Sequence, residues 1–147
     1  MYSVLNWIAG VALTLAPVTD AKWENDYGVA LHSTRQAQRP LLVVLDTHRW
    51  RPARVEPVSQ SRRPEQGAML DKYTLCHVDV TTPYGRQVAE AFRAKTFPTT
   101  VIIDKTGSVR LISKIGELSD DALYSMLVTY QSGERPPVAA RPVICRT

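Results

Sequence analysis

"FRAKTFPTTVIIDKTG", residues 92–107, combines a proline, a short apolar run and a turn signature within one breath of chain. "FPTTVIID", Phe97–Asp104, reads as a β-strand followed by a polar turn. The "DKTG" that follows places Gly107 where a hairpin with a bulge needs positive φ. "SVRLISKI", residues 108–115, then supplies the returning strand.

Working outward, "LLVVLD" (Leu41–Asp46) is continuous and apolar, as a central strand buried on both faces reads. "LCHVDV" (Leu75–Val80) alternates, with Cys76, Val78 and Val80 on one face and His77 and Asp79 on the other. Helical patterns lie between. "WENDYGVALHSTRQAQRP" is a helix capped by Asp26, with Tyr27, Ala30, Leu31 and Thr34 on one face and Pro40 at its end. Pro57, Pro64 and Gly67 interrupt any helix over residues 53–67, and a helix resumes over Glu65–Tyr73, with Met69 and Leu70 inward. Thr82 caps a third helix with Pro83 in its first turn and Tyr84, Val88, Ala91, Phe92 and Lys95 sharing a face. Ser119 caps a fourth, bearing Leu123, Met126, Leu127 and Tyr130 and closed by Gly133. Strands separated by helices predict parallel crossovers, and the closing hairpin adds antiparallel pairs. The expected class is α/β, a mixed sheet flanked by helices on both faces.

The 147 residues suffice for one domain with a real core, and 44% hydrophobic against 22% charged residues is ordinary for a globular chain. Residues 1–21 differ. Their apolar run from Val4 to Ala16 is shorter than the roughly 20 residues a bilayer span requires, and fits the middle of a secretory signal. Thr19 and Ala21 form a small-x-small site before Lys22, although no Lys or Arg precedes the run. The alternatives are an apolar N-terminal helix or an uncleaved anchor. The expected organisation is a signal peptide over 1–21, a globular domain over 22–133 and a Pro-rich extended tail over 134–147. This organisation implies an exported protein, periplasmic or secreted, with no stable membrane span in its mature part.

The order of elements and two local motifs resemble the thioredoxin fold, over roughly residues 23–133. "AQRPLLVVLDTHRWRPARVEP" is similar to that family's first central strand and active-site loop. "FRAKTFPTTVIIDKTG" is similar to its cis-proline loop and following hairpin. The resemblance matches Pro52 to the proline of the family's C-x-P-C motif. Trp50 then stands at the first cysteine and Ala53 at the second, with Arg51 between. Val44 falls at the family's buried carboxylate. Disulfide exchange needs an attacking thiolate and a resolving thiol, which indole and methyl side chains cannot supply. No shift of alignment recovers them, because no cysteine precedes Cys76.

The two cysteines, Cys76 and Cys145, make neither a CxxC nor a zinc pattern. In an exported chain they allow a structural bridge, a pair of free thiols, or a redox couple working across the fold. Cys76 lies in a strand, where His77 points to the opposite face and cannot readily activate it.

What the resemblance leaves is a groove. In the family, the residue before the cis-proline offers its backbone to an extended peptide, and that residue here is Phe97, followed by Pro98 and Thr99. Trp50 and Phe97 form an apolar platform on this reading; on the other, Trp50 merely fills the space of the lost pair. The implied role is peptide or protein binding without turnover, and the rival is a thiol–disulfide oxidoreductase using Cys76 and Cys145. His48, Arg49, Arg51, Arg54, Arg62 and Arg63 form a basic loop that either docks an acidic partner or is simply solvated. A net charge of +4 with no basic stripe gives no reason to expect a nucleic acid. His32, His48 and His77 are too scattered for a recognisable metal site, and no phosphate-binding loop or other cofactor motif is present. Nothing in the sequence fixes an oligomeric state.

Overall fold

The computed structural model describes residues 22–47 and 64–137. The elements, in chain order, are β1 (Trp23–Glu24), α1 (Tyr27–Ala37), β2 (Leu41–Asp46), α2 (Pro64–Leu70), β3 (Thr74–Asp79), α3 (Pro83–Phe92), β4 (Thr99–Ile103), β5 (Arg110–Ile115) and α4 (Asp120–Tyr130). The five strands form one mixed sheet in the order β1-β3-β2-β4-β5.

All six residues of β2 are buried, which follows from its place in the middle of the sheet. Its alternate side chains feed two cores. Leu41, Val43 and Leu45 join Cys76, Val78, Val101 and Ile103 beneath α1 and α3, where Ala30, Val88 and Phe92 close the layer. Leu42 joins Leu75 and Ile102 on the other face, covered by Leu70 of α2 and by Met126 and Leu127 of α4. The expected α/β layering with helices on both faces is what the chain adopts.

The caps follow the sequence. Asp26 accepts a hydrogen bond from the Val29 N–H at 2.9 Å, Thr82 from Gly85 at 2.9 Å and Ser119 from Ala122 at 3.2 Å. Gly107 takes φ +71° in the hairpin turn, and the β4–β5 register slips between Ile102 and Ile103 so that Leu111 is the bulged residue.

Several expectations are corrected: β4 begins at Thr99 rather than Phe97, and Pro64 and Gly67 lie within α2 instead of interrupting it. Trp23 and Glu24 do not belong to the first helix but form a short strand parallel to β3. That helix stops at Ala37 rather than at Pro40, because Gln38 enters the left-handed region and its N–H closes on the Thr34 carbonyl. The second helix ends at Leu70 instead of Tyr73. The chain must turn there to bring the Thr74 N–H to the Pro40 carbonyl, and Tyr73 drops into the core with its hydroxyl donating to the Leu127 carbonyl at 2.7 Å. In α3 the buried stripe is Gly85, Val88, Ala89 and Phe92; Tyr84 and Ala91 are exposed, and Lys95 lies beyond the helix. Gly85 sets that rotation, since a Cβ on it would lie 1.8 Å from the Asp79 carbonyl oxygen.

One topological expectation also changes. β2 and β3 are parallel across their intervening helix, but β4 runs antiparallel to β2. α3 covers only about 15 Å. The six residues that follow it return the chain to the end of the sheet where β2 and β3 finish, and Thr99 pairs there with Leu45.

Candidate functional site

That return defines the site. The C-terminal ends of β2 and β3, the start of β4 and the end of β5 meet at one edge of the sheet, and the chain leaves β2 there through Asp46 and Thr47. Trp50, Arg51, Pro52 and Ala53 lie outside the described residues, as do the basic residues His48, Arg49, Arg54, Arg62 and Arg63. Residues 1–21, the tail from 138 onward and Cys145 lie outside them too.

The turn ahead of β4 is described in full. The Phe97–Pro98 peptide bond is cis. The Pro98 carbonyl accepts from the Gly116 N–H at 2.8 Å, which ties the turn to the end of β5. Buried Thr99 donates its hydroxyl to the Thr96 carbonyl at 2.6 Å, closing the turn on itself. Phe97 is half-buried, and its ring packs against the core under α1 and α3. Its backbone N–H and C=O form no hydrogen bond among the described residues.

Behind this turn lies a polar cluster that sequence reasoning missed. Val44 sits opposite His77 and Asp46 opposite Asp79 in the β2–β3 ladder, so all four share the face that carries α2 and α4. Asp46 is 8% exposed and accepts from the Thr47 N–H at 2.6 Å. Asp79 accepts from both the N–H and the hydroxyl of Thr81. Burial lowers the His77 pKa from its usual value, although the Asp46 and Asp79 carboxylates pull it upward. Period-two alternation read in both strands at once would have grouped these residues; read strand by strand it did not. Among the described residues, no three His, Cys, Asp or Glu side chains converge as a metal site, and His32 is exposed on α1.

Cys76 is a free thiol with no exposed surface, packed between Glu24 and Val43 in the middle of the sheet. Burial pushes its pKa up to about 12, with Asp26 and Glu24 adding to the rise. It is not at the Pro98 turn: Cys76 is level with Val43 and Val101, on the far side of β2 from β4. Among the described residues no helix is long and apolar enough to cross a membrane.

No family model and no curated protein matches the chain. Solved structures do. A thioredoxin from Thermus thermophilus superposes with a TM-score of 0.59 at 20% identity, covering 78% of this chain and 91% of that one. The C-terminal domain of Neisseria meningitidis DsbD, in its oxidised form, gives 0.52 at 14% identity, over 77% of this chain and all (100%) of the other. A DsbH oxidoreductase gives 0.50 at 20% identity, over 90% and 96%. At these identities the likeness shows the fold: the chain has a thioredoxin-like fold.

Proposed function

We propose that this chain is an exported binding module on the thioredoxin-like fold, one that holds an extended peptide segment beside Phe97 and carries out no disulfide exchange. The observation that carries the reading is the backbone of Phe97. Its N–H and C=O stand unpaired among the described residues while the Pro98 carbonyl beside them is fixed to Gly116. A turn with one donor and one acceptor unpaired among the described residues, at a sheet end, is suited to docking an added strand.

The chemistry argues in the same direction. Exchange proceeds through a thiolate, and no cysteine lies between Met1 and Leu75, the whole of the region leading into and through the matched loop. Cys76 is buried and held protonated, the setting of a structural thiol. Export is supported by the apolar run from Val4 to Ala16 and the small residues Thr19 and Ala21.

Insulin reduction by dithiothreitol tests the absence of turnover, with the intact chain compared against its Cys76→Ser and Cys145→Ser variants. No acceleration over dithiothreitol alone is expected from any of them. Acceleration by the intact chain that disappears in Cys76→Ser would overturn the reading in favour of an oxidoreductase. Binding is tested with alkylated insulin B chain, which has no disulfide to exchange. Affinity that survives high salt and falls on Trp50→Ala places the contact at the groove. Affinity lost in salt and on Arg51→Glu assigns it to the basic loop.

A further inference from the structure

The outer edge of the sheet carries a second set of unpaired backbone groups. β5 is the last strand in the sheet order, and Ile115 at its end is 69% exposed. The Gly116 N–H points inward to Pro98, and the two-residue period of an antiparallel pair then turns the N–H groups of Lys114 and Ile112 toward β4 as well. The N–H and C=O of Ser113 and Ile115 therefore face outward, two donors and two acceptors with nothing beyond them among the described residues.

Natural sheets blunt such an edge with lysine, proline, bulges, inward charge or a cover. β5 carries Lys114 and the Leu111 bulge, and still leaves the Ser113 and Ile115 groups without a paired strand among the described residues. Here a trough of about 400 Å³ runs alongside it, between β5 and α4. Ile112, Leu118, Met126 and Tyr130 supply its apolar wall, and Ala122 leaves it open near the start of the helix. Lys114 is the charged residue on its rim and forms no ion pair among the described residues. The volume lies in the range of small-ligand sites. Its position beside a free edge suits the side chains of an added strand better, because alternate side chains of a strand paired to β5 would fall on the α4 side.

We propose that β5 and α4 form a second docking surface, which receives an extended acidic–apolar segment of a partner protein as a sixth strand. Apolar side chains at every second position enter the trough, and one acidic side chain meets Lys114. A single acid is favoured over a run of them, because Glu117, Asp120 and Asp121 gather around the neighbouring start of α4. This surface is separate from the Phe97 turn: its determinants are Ser113, Lys114 and the Ala122 opening, and none belongs to the loop carrying Trp50.

The probe is a synthetic octapeptide alternating valine and threonine with one aspartate, added to the isotopically labelled full chain and followed by amide shifts. Shifts centred on Ser113, Ile115 and Met126 are expected. Ser113→Pro removes an outward N–H where an edge strand tolerates proline, and weakens binding about tenfold. Lys114→Glu weakens it in a salt-dependent way, and Ala122→Trp blocks it by filling the trough. Should Ser113→Pro not fold, N-methylation of alternate peptide amides removes the same hydrogen bonds from the other side, with the same loss expected. Binding unaffected by N-methylation, shifts confined to Phe97 and its neighbours, or no binding at all would overturn the proposal. So would self-association of the chain abolished by Ser113→Pro, which assigns the edge to a second copy. Loss of octapeptide binding on Trp50→Ala would likewise overturn it, since that result places the peptide at the Phe97 turn.

Discussion

Val44 and His77 stand directly opposite each other in the parallel β2–β3 ladder, so a buried valine and a half-buried imidazole share the place behind the Pro98 turn. Burial lowers the His77 pKa below its usual 6.5, against the pull of Asp46 and Asp79. The fold thus prefers neutral imidazole, and the unfolded chain binds more protons as pH falls through about 6.5. Stability is full above that pH and declines below it, until the folded-state pKa is passed. Urea midpoints taken from about pH 8 down to about pH 5 should show this decline in the intact chain and lose it in His77→Gln. An unchanged slope in the variant would refute the assignment.

Gly85 carries the junction between β3 and α3. A Cβ there would meet the Asp79 carbonyl oxygen at 1.8 Å, and its carbon at 2.6 Å, both backbone atoms that cannot step aside. Gly85→Ala must lift α3 off the sheet and should cost about 3 kcal/mol, the upper part of the range for overpacking. Gly107→Ala is the informative comparison. Its Cβ meets the Leu31 side chain at 2.7 Å, a flexible end, so its cost is mainly that of the left-handed backbone, about 1–2 kcal/mol. Chemical denaturation of both variants should rank Gly85→Ala as the worse; the reverse order would contradict this account of the junction.

These two positions also show what a sequence alone reveals. Gly107 was legible because a D-x-x-G turn between two apolar strands is a local signal. Gly85 was not, because its constraint comes from the way the folded β3–α3 junction brings the Asp79 carbonyl against the first turn of α3. The same division explains α3, whose face shifted from Tyr84 and Ala91 to Gly85 and Ala89 once the close approach fixed its rotation. It explains β1 too, since two residues give no periodicity and only pairing with Leu75 and Cys76 makes them a strand. β2 and the Asp26, Thr82 and Ser119 caps were local and were read correctly. At the site, Phe97, Pro98 and Thr99 were marked by their motif. The Asp46–His77–Asp79 grouping required knowing that β2 and β3 are neighbours in register.

Asp104 organises the β4–β5 hairpin from one side chain. Its carboxylate accepts from the Ser108 N–H at 2.8 Å, the Val109 N–H at 2.9 Å and the Thr106 hydroxyl. Desolvation raises its pKa, but hydrogen bonds from Thr106, Val109 and Ser108 outweigh that and leave it below the usual 3.8. A depressed carboxyl contributes stability that is present above the unfolded value and lost as pH falls through the folded one. Asp104→Ala should cost about 1–2 kcal/mol near neutral pH, since several donors lose one acceptor at a partly solvated turn. Asp104→Asn keeps an acceptor, should cost less, and should remove the acid-side dependence. Equal stability of Asp104→Ala and the intact chain would show that water replaces the carboxylate without penalty.

Cys76 offers the last test, because its reactivity reports its surroundings. Thiolate is the species that reacts, and burial pushes this thiol up to about 12 with no exposed surface. In a Cys145→Ser background, labelling by a disulfide reagent must therefore wait for the sheet to open around Val43 and Glu24. The folded protein should react more slowly than the urea-unfolded chain by on the order of a thousandfold or more, as the opening equilibrium of even a marginal domain allows. The rate should climb with urea in step with unfolding, and Phe92→Ala, which thins the same core, should raise it without denaturant. Labelling of the folded chain as fast as the unfolded one would place an accessible thiolate in the sheet, and with it a nucleophile that a redox role through Cys76 would need.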